Sequence, residues 1–410
     1  MKPTVLISGA SVAGPALAYW LHRHGFRAVV VERAGAVRGG GYPIDVRGVA
    51  LDVADRMGML PRLRGAHVGT RRVTFVNANG RVTGQIAPDG FTGSPEGRDL
   101  ELPRGDLTRA LYEATRDDVE YVFDDSITAI DEHQDGVHVT FRRGAPRTVD
   151  LVVGADGLHS NVRALAFGPE RAYRHDLGFR FAAFTMDDGL GLDREALFHN
   201  IPGRLAGWYA VHGQDLSTAF LAFADDGEAD VDPHDLDQQR RRVTNAFSGA
   251  GWEVPRILAA LRTAEDLFSD SVSQIRMPRW TSGRVALVGD AAYAPSFLSG
   301  QGTSIALVGA YLLAGELATA RGDHRLAFGA YERQLRPFVE RNQRLAKSGT
   351  FALVPATRTQ IWLRDRLLGA LTRLGPLARR LNGGVNQAAR ALELRDYESL
   401  PDKDDATASG

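Results

Sequence analysis

The stretch "TVLISGASVAGPALAYWLHRHGFRAVVVER", residues 4–33, decides how the rest of the chain is read. Val5-Leu6-Ile7 is a short apolar run, Ala13–His24 carries apolar residues at helical spacing, and Gly25 is placed to end that helix. Arg27–Glu32 returns as a β-branched strand. Strand, tight turn and helix in this order, with Gly9 and Gly14 at the turn, follow the G-x-G-x-x-G pattern of a dinucleotide-binding unit. The first glycine makes the turn and the third lets helix and strand pack closely. The second lets backbone approach a pyrophosphate seated on the helix N-terminus. Ser11 stands in that second place. Serine is the mildest replacement, being small and able to donate a hydroxyl hydrogen bond to phosphate. Glu32 follows Gly14 by 18 residues, near where an acid holds a ribose 2′-hydroxyl. An acid there disfavours a 2′-phosphate and points to FAD or NAD as the tightly held nucleotide.

Composition narrows the classes. With 410 residues, 44% apolar and 24% charged, the chain has room for two or three domains and a buried cofactor. A net charge of −1 gives no general attraction to nucleic acid or anionic membrane. There is no cysteine, which excludes disulfides, thiolate catalysis, cysteine–zinc sites and cysteinyl-flavin links; no metal is expected. The first strand begins at about Thr4, leaving no room for a signal peptide. The apolar run of residues 303–320 carries Glu316 and flanking glycines, which suits a buried helix better than a membrane span. A monomeric, cytoplasmic protein is expected.

Strands alternate with helices at both ends of the chain, while residues 171–269 carry aromatic-rich alternating strands. The expected fold is therefore α/β: a discontinuous Rossmann-like nucleotide-binding domain (residues 1–68, 99–170 and 270–350) with an inserted β-sheet substrate domain (69–98 and 171–269). A C-terminal helix region follows at 351–400, then a disordered tail at 401–410. In that helix Leu363, Leu367, Leu371 and Leu374 sit at helical spacing among arginines. Such a helix can bind a membrane surface; packing on its own protein is the expected use.

Two further motifs carry chemistry. "GADGLHSNVR" places Asp156, Gly157, Ser160 and Arg163 in a D-G-x-x-S-x-x-R arrangement, whose plain structural alternative is a strand end followed by a helix capped by Asp156 or Ser160. "ALVGDAAYAPSFLSGQGTSIAL" contains Gly289-Asp290, Pro295 and Gly300-Gln301-Gly302 ahead of the apolar helix. Asp290 ends a buried strand, where a carboxylate needs a partner, and a ribityl hydroxyl is a fitting one. The glycine-rich helix start offers free N–H groups and a positive dipole end, suited to the charge that reduced flavin carries at its N1–C2=O edge.

In this order and at these separations the three motifs resemble those of the class A flavoprotein monooxygenases, the p-hydroxybenzoate hydroxylase type, over residues 3 to 345. "GGYPIDVRG", "LPRGDL" and "LELRDYE" are similar to the tetracycline-inactivating monooxygenases and actinobacterial polyketide hydroxylases within that family. The resemblance implies that Gly9, Ser11, Val12, Ala13 and Gly14 hold the FAD pyrophosphate, Glu32 the ribose, and that Arg33 lies by the adenine. It implies that Arg47, Arg104 and Ile127 also contact FAD. Asp156 would organise the pyrophosphate region and the transient NAD(P)H site, Gly289 and Asp290 would hold the ribityl chain, and Pro295, Gly300 and Gly302 would flank the isoalloxazine. The implied activity is hydroxylation of an aromatic or polycyclic substrate, in antibiotic biosynthesis or resistance, with O₂ and NADPH or NADH through a flavin C4a-hydroperoxide. No side chain is singled out as a catalytic base.

The substrate pocket is expected between the flavin and the inserted sheet, with Phe184, Trp208, Phe220, Phe223 and Phe297 as walls and Arg180 and His212 to meet a phenolate or carboxylate. Each aromatic has ordinary core as its alternative, and the two charged candidates a surface ion pair or a satisfied histidine. A flavin-dependent reductase of the same fold and a non-catalytic FAD-containing binding protein remain as other functional readings. A flavin halogenase is disfavoured, since no W-x-W-x-I-P run occurs.

Overall fold

Strand Thr4–Ser8 pairs in parallel with Arg27–Glu32 on one side and with Leu151–Gly154 on the other. The computed structural model describes residues 2–37, 39, 42–86, 98–210, 216–225, 235–374 and 384–397. Glu120–Phe123 and Val285–Leu287 extend the sheet in parallel, and the short Thr281–Ser282 closes one edge antiparallel, giving six strands. Val5, Leu6, Ile7, Val30, Val152 and Val153 are fully or almost fully buried, as continuous apolar strands are when both faces of a parallel sheet are covered. A three-stranded antiparallel sheet (Ile127–His133, Gly136–Phe141, Arg147–Val149) belongs to the same hydrophobic core.

Helix Gly302–Thr319 is buried almost all round, packed on helices Ala13–Arg23, Val49–Arg56 and His324–Leu353. Among the described residues it is the one helix long and apolar enough to cross a membrane, yet 78% of it is buried inside the protein, which is how a central core helix behaves. The chain returns to cover it. Tyr397, 1% exposed, fills the space that Gly315 leaves by lacking a Cβ, and its hydroxyl donates to Glu316. Just upstream, the Ala389 carbonyl oxygen lies 2.2 Å from where a Cβ on Gly48 would stand.

The second large sheet has seven strands in the order Phe268–Ile275, Arg174–Asp187, Leu216–Ala224, Arg204–Ala210, Glu195–Ile201, Arg72–Val76 and Val82–Ile86. Phe268–Ile275 is one of its edge strands, so the inserted sheet runs past residue 269. Alternate residues face opposite sides. Phe181 and Phe220 cluster with Tyr42 and Phe297 on the side toward the nucleotide-binding half. Phe184, Trp208 and Phe223 face the other way, in a separate core with Val243 of helix Leu236–Ala246, Phe247 that follows it, and Val254 and Ile257 of helix Val254–Leu261. Those three are not pocket walls: the pleat turns them to the outer layer. Arg180 is also turned from the pocket, to Asp225 at 3.4 Å, a carboxylate it shares with Arg242 of the outer helix. His212 and the tail at 401–410 lie outside the described residues.

Helix Arg358–Leu374 packs on the far edge of this sheet, but not through the first two of the leucines that its spacing suggested; the side chains of Leu371 and Leu374 lie outside the described residues. Leu363 and Leu367 are exposed, whereas Leu368 packs with Phe75 and Ile86. The Arg364 guanidinium lies 4.0 Å from the Phe75 ring centroid and donates to Asn200 Oδ1 at 2.6 Å.

Because Trp208 is an outer-layer core residue, Trp208→Ala should lower unfolding free energy by about 3–5 kcal/mol while leaving the product formed unchanged. Urea unfolding and product analysis on the same preparation check it; a changed product without lost stability would put Trp208 in the pocket after all.

Candidate functional site

The three motifs meet at the carboxyl ends of the parallel strands, and the meeting is tight. Gly9 has φ +109°, and a Cβ there would lie 2.5 Å from the Ala155 carbonyl oxygen of the second motif. A Cβ on Gly14 would lie 1.9 Å from the Gly9 oxygen. Gly289 of the third motif faces the Ala13 Cβ at 3.0 Å in the same sense. Helix Ala13–Arg23 begins without a side-chain cap and without an acid in its first turn, so its leading N–H groups are available to an anion.

Ser11 is held from outside its own motif. Its Oγ accepts from Arg104 Nη2 at 3.0 Å, and Arg104 opens helix Arg104–Glu113. Glu32 accepts from the backbone N–H of Ala10 at 2.8 Å and of Ala34 at 2.9 Å, one on each oxygen, which leaves acceptor capacity on both. Arg33 is exposed at the strand end, beside a cavity of about 280 Å³ lined by Gly35, Val37, Arg109, Tyr112 and Phe123. Ile127 is buried, and its carbonyl accepts from Asn161 Nδ2 at 2.6 Å.

Asp156 serves the helix that follows it. Its carboxylate accepts from the Ser160 hydroxyl and from the N–H groups of Asn161 at 2.9 Å and Val162 at 3.0 Å. Ser160 Oγ in turn caps the Arg163 N–H at 3.0 Å. Burial pushes the Asp156 carboxyl up despite these bonds. Asp290 is different. Solvent reaches it at the start of the short helix Asp290–Tyr293, three residues past the strand Val285–Leu287, and among the described residues nothing hydrogen-bonds its side chain. Crowding by protein raises its pKa, against the pull of Arg104 and with that of Asp270. The open face of Gly302 lies 3.8 Å from Asp290 Oδ1 and 4.0 Å from Pro295 Cγ, while that of Gly300 lies 3.5 Å from Asp45 Oδ2. Asp45 ion-pairs with Arg47 at 2.8 Å, and the Arg47 N–H donates to Ser304 Oγ in the first turn of the buried helix.

Joined to this floor through Phe297 stands an aromatic wall. Phe181 and Phe297 stack at 4.3 Å with 10° between planes, and Tyr42 meets Phe181 edge-on at 5.3 Å. Phe220 and Phe268 complete it. Burial raises the Tyr42 phenol, Arg104 lowers it, and Asp290 and Asp270 raise it further. Phe220 and Phe297 were legible in advance; Tyr42, Phe181 and Phe268 were not, although Tyr42 lies in the quoted "GGYPIDVRG".

A charged clasp joins the two halves beside this wall. His159 Nδ1 lies 3.0 Å from Glu170, and Nε2 lies 3.0 Å from Asp270 on the seven-stranded sheet. Buried Arg163 and Arg174 also reach Glu170. Hydrogen bonds to Asp270 first and Glu170 second raise the imidazole from 6.5 to about 9.

Residues 2–189 match the family described as FAD binding domain. A flavin-dependent monooxygenase of an unknown prokaryotic organism is 35% identical over 96% of this chain and 98% of its own length. The chain belongs to the flavin-dependent monooxygenases. An uncharacterized protein of Mycobacterium tuberculosis is 47% identical over 90% of the monooxygenase and 98% of itself. The crystal structure of the tetracycline destructase Tet(51) superposes with a TM-score of 0.84 at 31% identity, covering 97% of this monooxygenase and all of that chain. FAD is the cofactor of the family, and this monooxygenase shares its fold throughout.

Two outcomes follow from this geometry. Gly14→Ala forces a methyl against the Gly9 carbonyl and should cost about 1–3 kcal/mol of stability together with FAD retention, read by urea unfolding and by flavin co-purification. The His159 clasp is charged in the folded protein up to about pH 9, so its contribution is complete below 6.5 and fades as pH rises through 9. The melting temperature of wild type should therefore exceed that of His159→Gln at about pH 6, with the gap closing on the alkaline side. A gap independent of pH would show that the imidazolium carries none of it.

Proposed function

We propose that the enzyme inserts one oxygen atom from O₂ into a fused polycyclic phenol or enol, using NAD(P)H as reductant. The single observation that carries the reading is the aromatic wall of Tyr42, Phe181, Phe220 and Phe297, in which Phe297, three residues before Gly300 of the third motif, stacks on the inserted sheet. Phe181 is buried beneath it, while the partly exposed Tyr42, Phe220 and Phe297 offer apolar surface with no fixed charge of its own. The tetracycline destructase likeness supports a ring system of that kind.

The residues present fit FAD. The Gly9–Gly14 turn is a cradle that a Cβ would fill, Asp290 has open acceptors, and the glycine-rich helix start has uncapped N–H groups. In this reading Ser11 and the N–H groups after Gly9 hold the pyrophosphate, with Arg104 fixed by Ser11. Glu32 takes the ribose hydroxyls while keeping the loop closed through Ala10 and Ala34. Arg33 and the cavity at Gly35 and Phe123 take the adenine. Asp290 accepts from the ribityl chain. Asp156 acts through the helix start it caps. When bound and reduced, FAD supplies the activation of O₂. The chain's own residues orient the substrate ring against the partly exposed Tyr42, Phe220 and Phe297 and exclude water from the cleft. FAD is held tightly and without a covalent link, since no cysteine is present and no histidine stands in a recognisable attachment motif. The monooxygenase acts as a monomer in the cytoplasm, where reduced nicotinamide is supplied.

The test is a screen of phenolic polyketides and tetracyclines that follows substrate-dependent NADPH oxidation under isotopically labelled O₂. The product should gain one labelled oxygen atom. Conversion without O₂, with NADPH consumed and no oxygen gained, would replace this reading with that of a flavin-dependent reductase.

A further inference from the structure

Nine large apolar side chains stand exposed among the described residues, and they are unevenly placed. Six lie one each on six separate strands and helices. The other three, Trp362 at 55% exposure, Leu363 at 44% and Leu367 at 49%, fall within six residues of helix Arg358–Leu374. At 3.6 residues per turn they share one side of that helix, with exposed Arg358 and Arg366 among them. The Arg366 guanidinium carbon lies 4.7 Å from the Trp362 ring centroid. The opposite side is already occupied: Arg364, Asp365 and Leu368 are buried, the first and last of them against Phe75.

Charge is gathered in the same part of the chain. Between Glu340 and Glu393 the sequence carries ten lysines and arginines and a single acid, Asp365. That acid is taken by Arg364 at 2.7 Å. Of the 49 basic and 50 acidic residues in the whole chain, 39 and 49 lie elsewhere. A protein of net charge −1 is thus a basic segment set on an acidic body. Among the described residues neither Arg358 nor Arg366 has a carboxylate partner.

Contiguous apolar surface rimmed by charge marks a docking face. The charge selects the partner. A second copy of the chain, related by a two-fold axis, would bring these arginines against each other. An anionic lipid surface answers both features at once. Tryptophan and the apolar stems of arginine suit the boundary between headgroups and acyl chains, while the guanidiniums meet the lipid charge. We propose that the Trp362–Leu367 face of helix Arg358–Leu374 docks the folded enzyme reversibly on an anionic lipid bilayer. The helix lies in the plane of the interface, with its packed side still on the seven-stranded sheet. Repulsion from the same lipid charge turns the acidic body toward water. The overall charge of the chain gives no such attraction; its distribution does.

The experiment mixes the full-length holoenzyme with vesicles of phosphatidylcholine, alone or with about a third phosphatidylglycerol, and reads co-sedimentation and tryptophan emission. Wild type should sediment with the anionic vesicles and not with the neutral ones. Its emission should shift to the blue through Trp362, since Trp20, Trp208 and Trp280 are already buried. Raising salt from about 0.1 M to 1 M, which cuts the screening length from about 10 Å to 3 Å, should weaken binding about tenfold or more. Arg366→Gln should weaken it about fivefold, and Trp362→Ser combined with Leu367→Ser about tenfold or more. Both variants should keep the melting temperature and flavin content of wild type, because the changed side chains are exposed. Wild type that ignores anionic vesicles, or binds neutral ones equally well, overturns the proposal. A doubly substituted variant that binds like wild type overturns it too. So does a lipid-free dimer in sedimentation equilibrium that the same two substitutions dissolve, since the face would then belong to a second copy.

Discussion

Close approach of backbone at the carboxyl ends of three parallel strands is the constraint on which the rest depends. Gly9 lies against Ala155, Gly14 against Gly9, and Gly289 against Ala13, each with less room than a methyl group needs. The absence of side chains lets separate loops converge on one point from residues 9–14, 154–157 and 289–290. That convergence places uncapped helix N–H groups, a free carboxylate and a guanidinium around one cleft. The glycines contribute no contact of their own. They set the distance at which every other group acts.

The seven-stranded sheet works on both faces. Its outer face is closed by two helices into a core of its own, which keeps the sheet stiff without borrowing from the nucleotide-binding half. Its inner face is then free to present rings to the cleft. The His159 clasp ties the two halves at Asp270, on the strand that pairs with the one bearing Phe181. An ionic joint at that place adds to the apolar contact that Phe181, Ala183 and Val272 make with Phe297, Leu298 and Tyr42.

Much of this was legible in the residues, and the failures have identifiable causes. The parallel sheet could be read because its strands are buried on both sides and its turns require glycine at fixed spacing. The parity of the inserted strands could not. Phe181-Ala182-Ala183-Phe184 is apolar at every position because both faces are covered, so alternation carries no information, and the register shift between Asp176 and Arg180 removes counting from the strand end. The C-terminal helix misled for a related reason: its buried stripe includes Arg364, laid flat on Phe75, while Leu363 and Leu367 are the exposed residues. Ser11 resembled a tolerated exception, yet its hydroxyl answers Arg104, 93 residues away, a pairing that no local pattern contains.

The returning segment at residues 384–397 bears on how the molecule is made. Tyr397 occupies the volume beside Gly315, and the Ala389 carbonyl occupies that beside Gly48, so the central helix has an open flank until both arrive. On a ribosome the first strand emerges nearly 400 residues before the ring that finishes its core. The half of the molecule that begins synthesis is thus the last to close. Until then it must wait with an apolar helix partly uncovered, which makes the nascent chain a natural client for a chaperone.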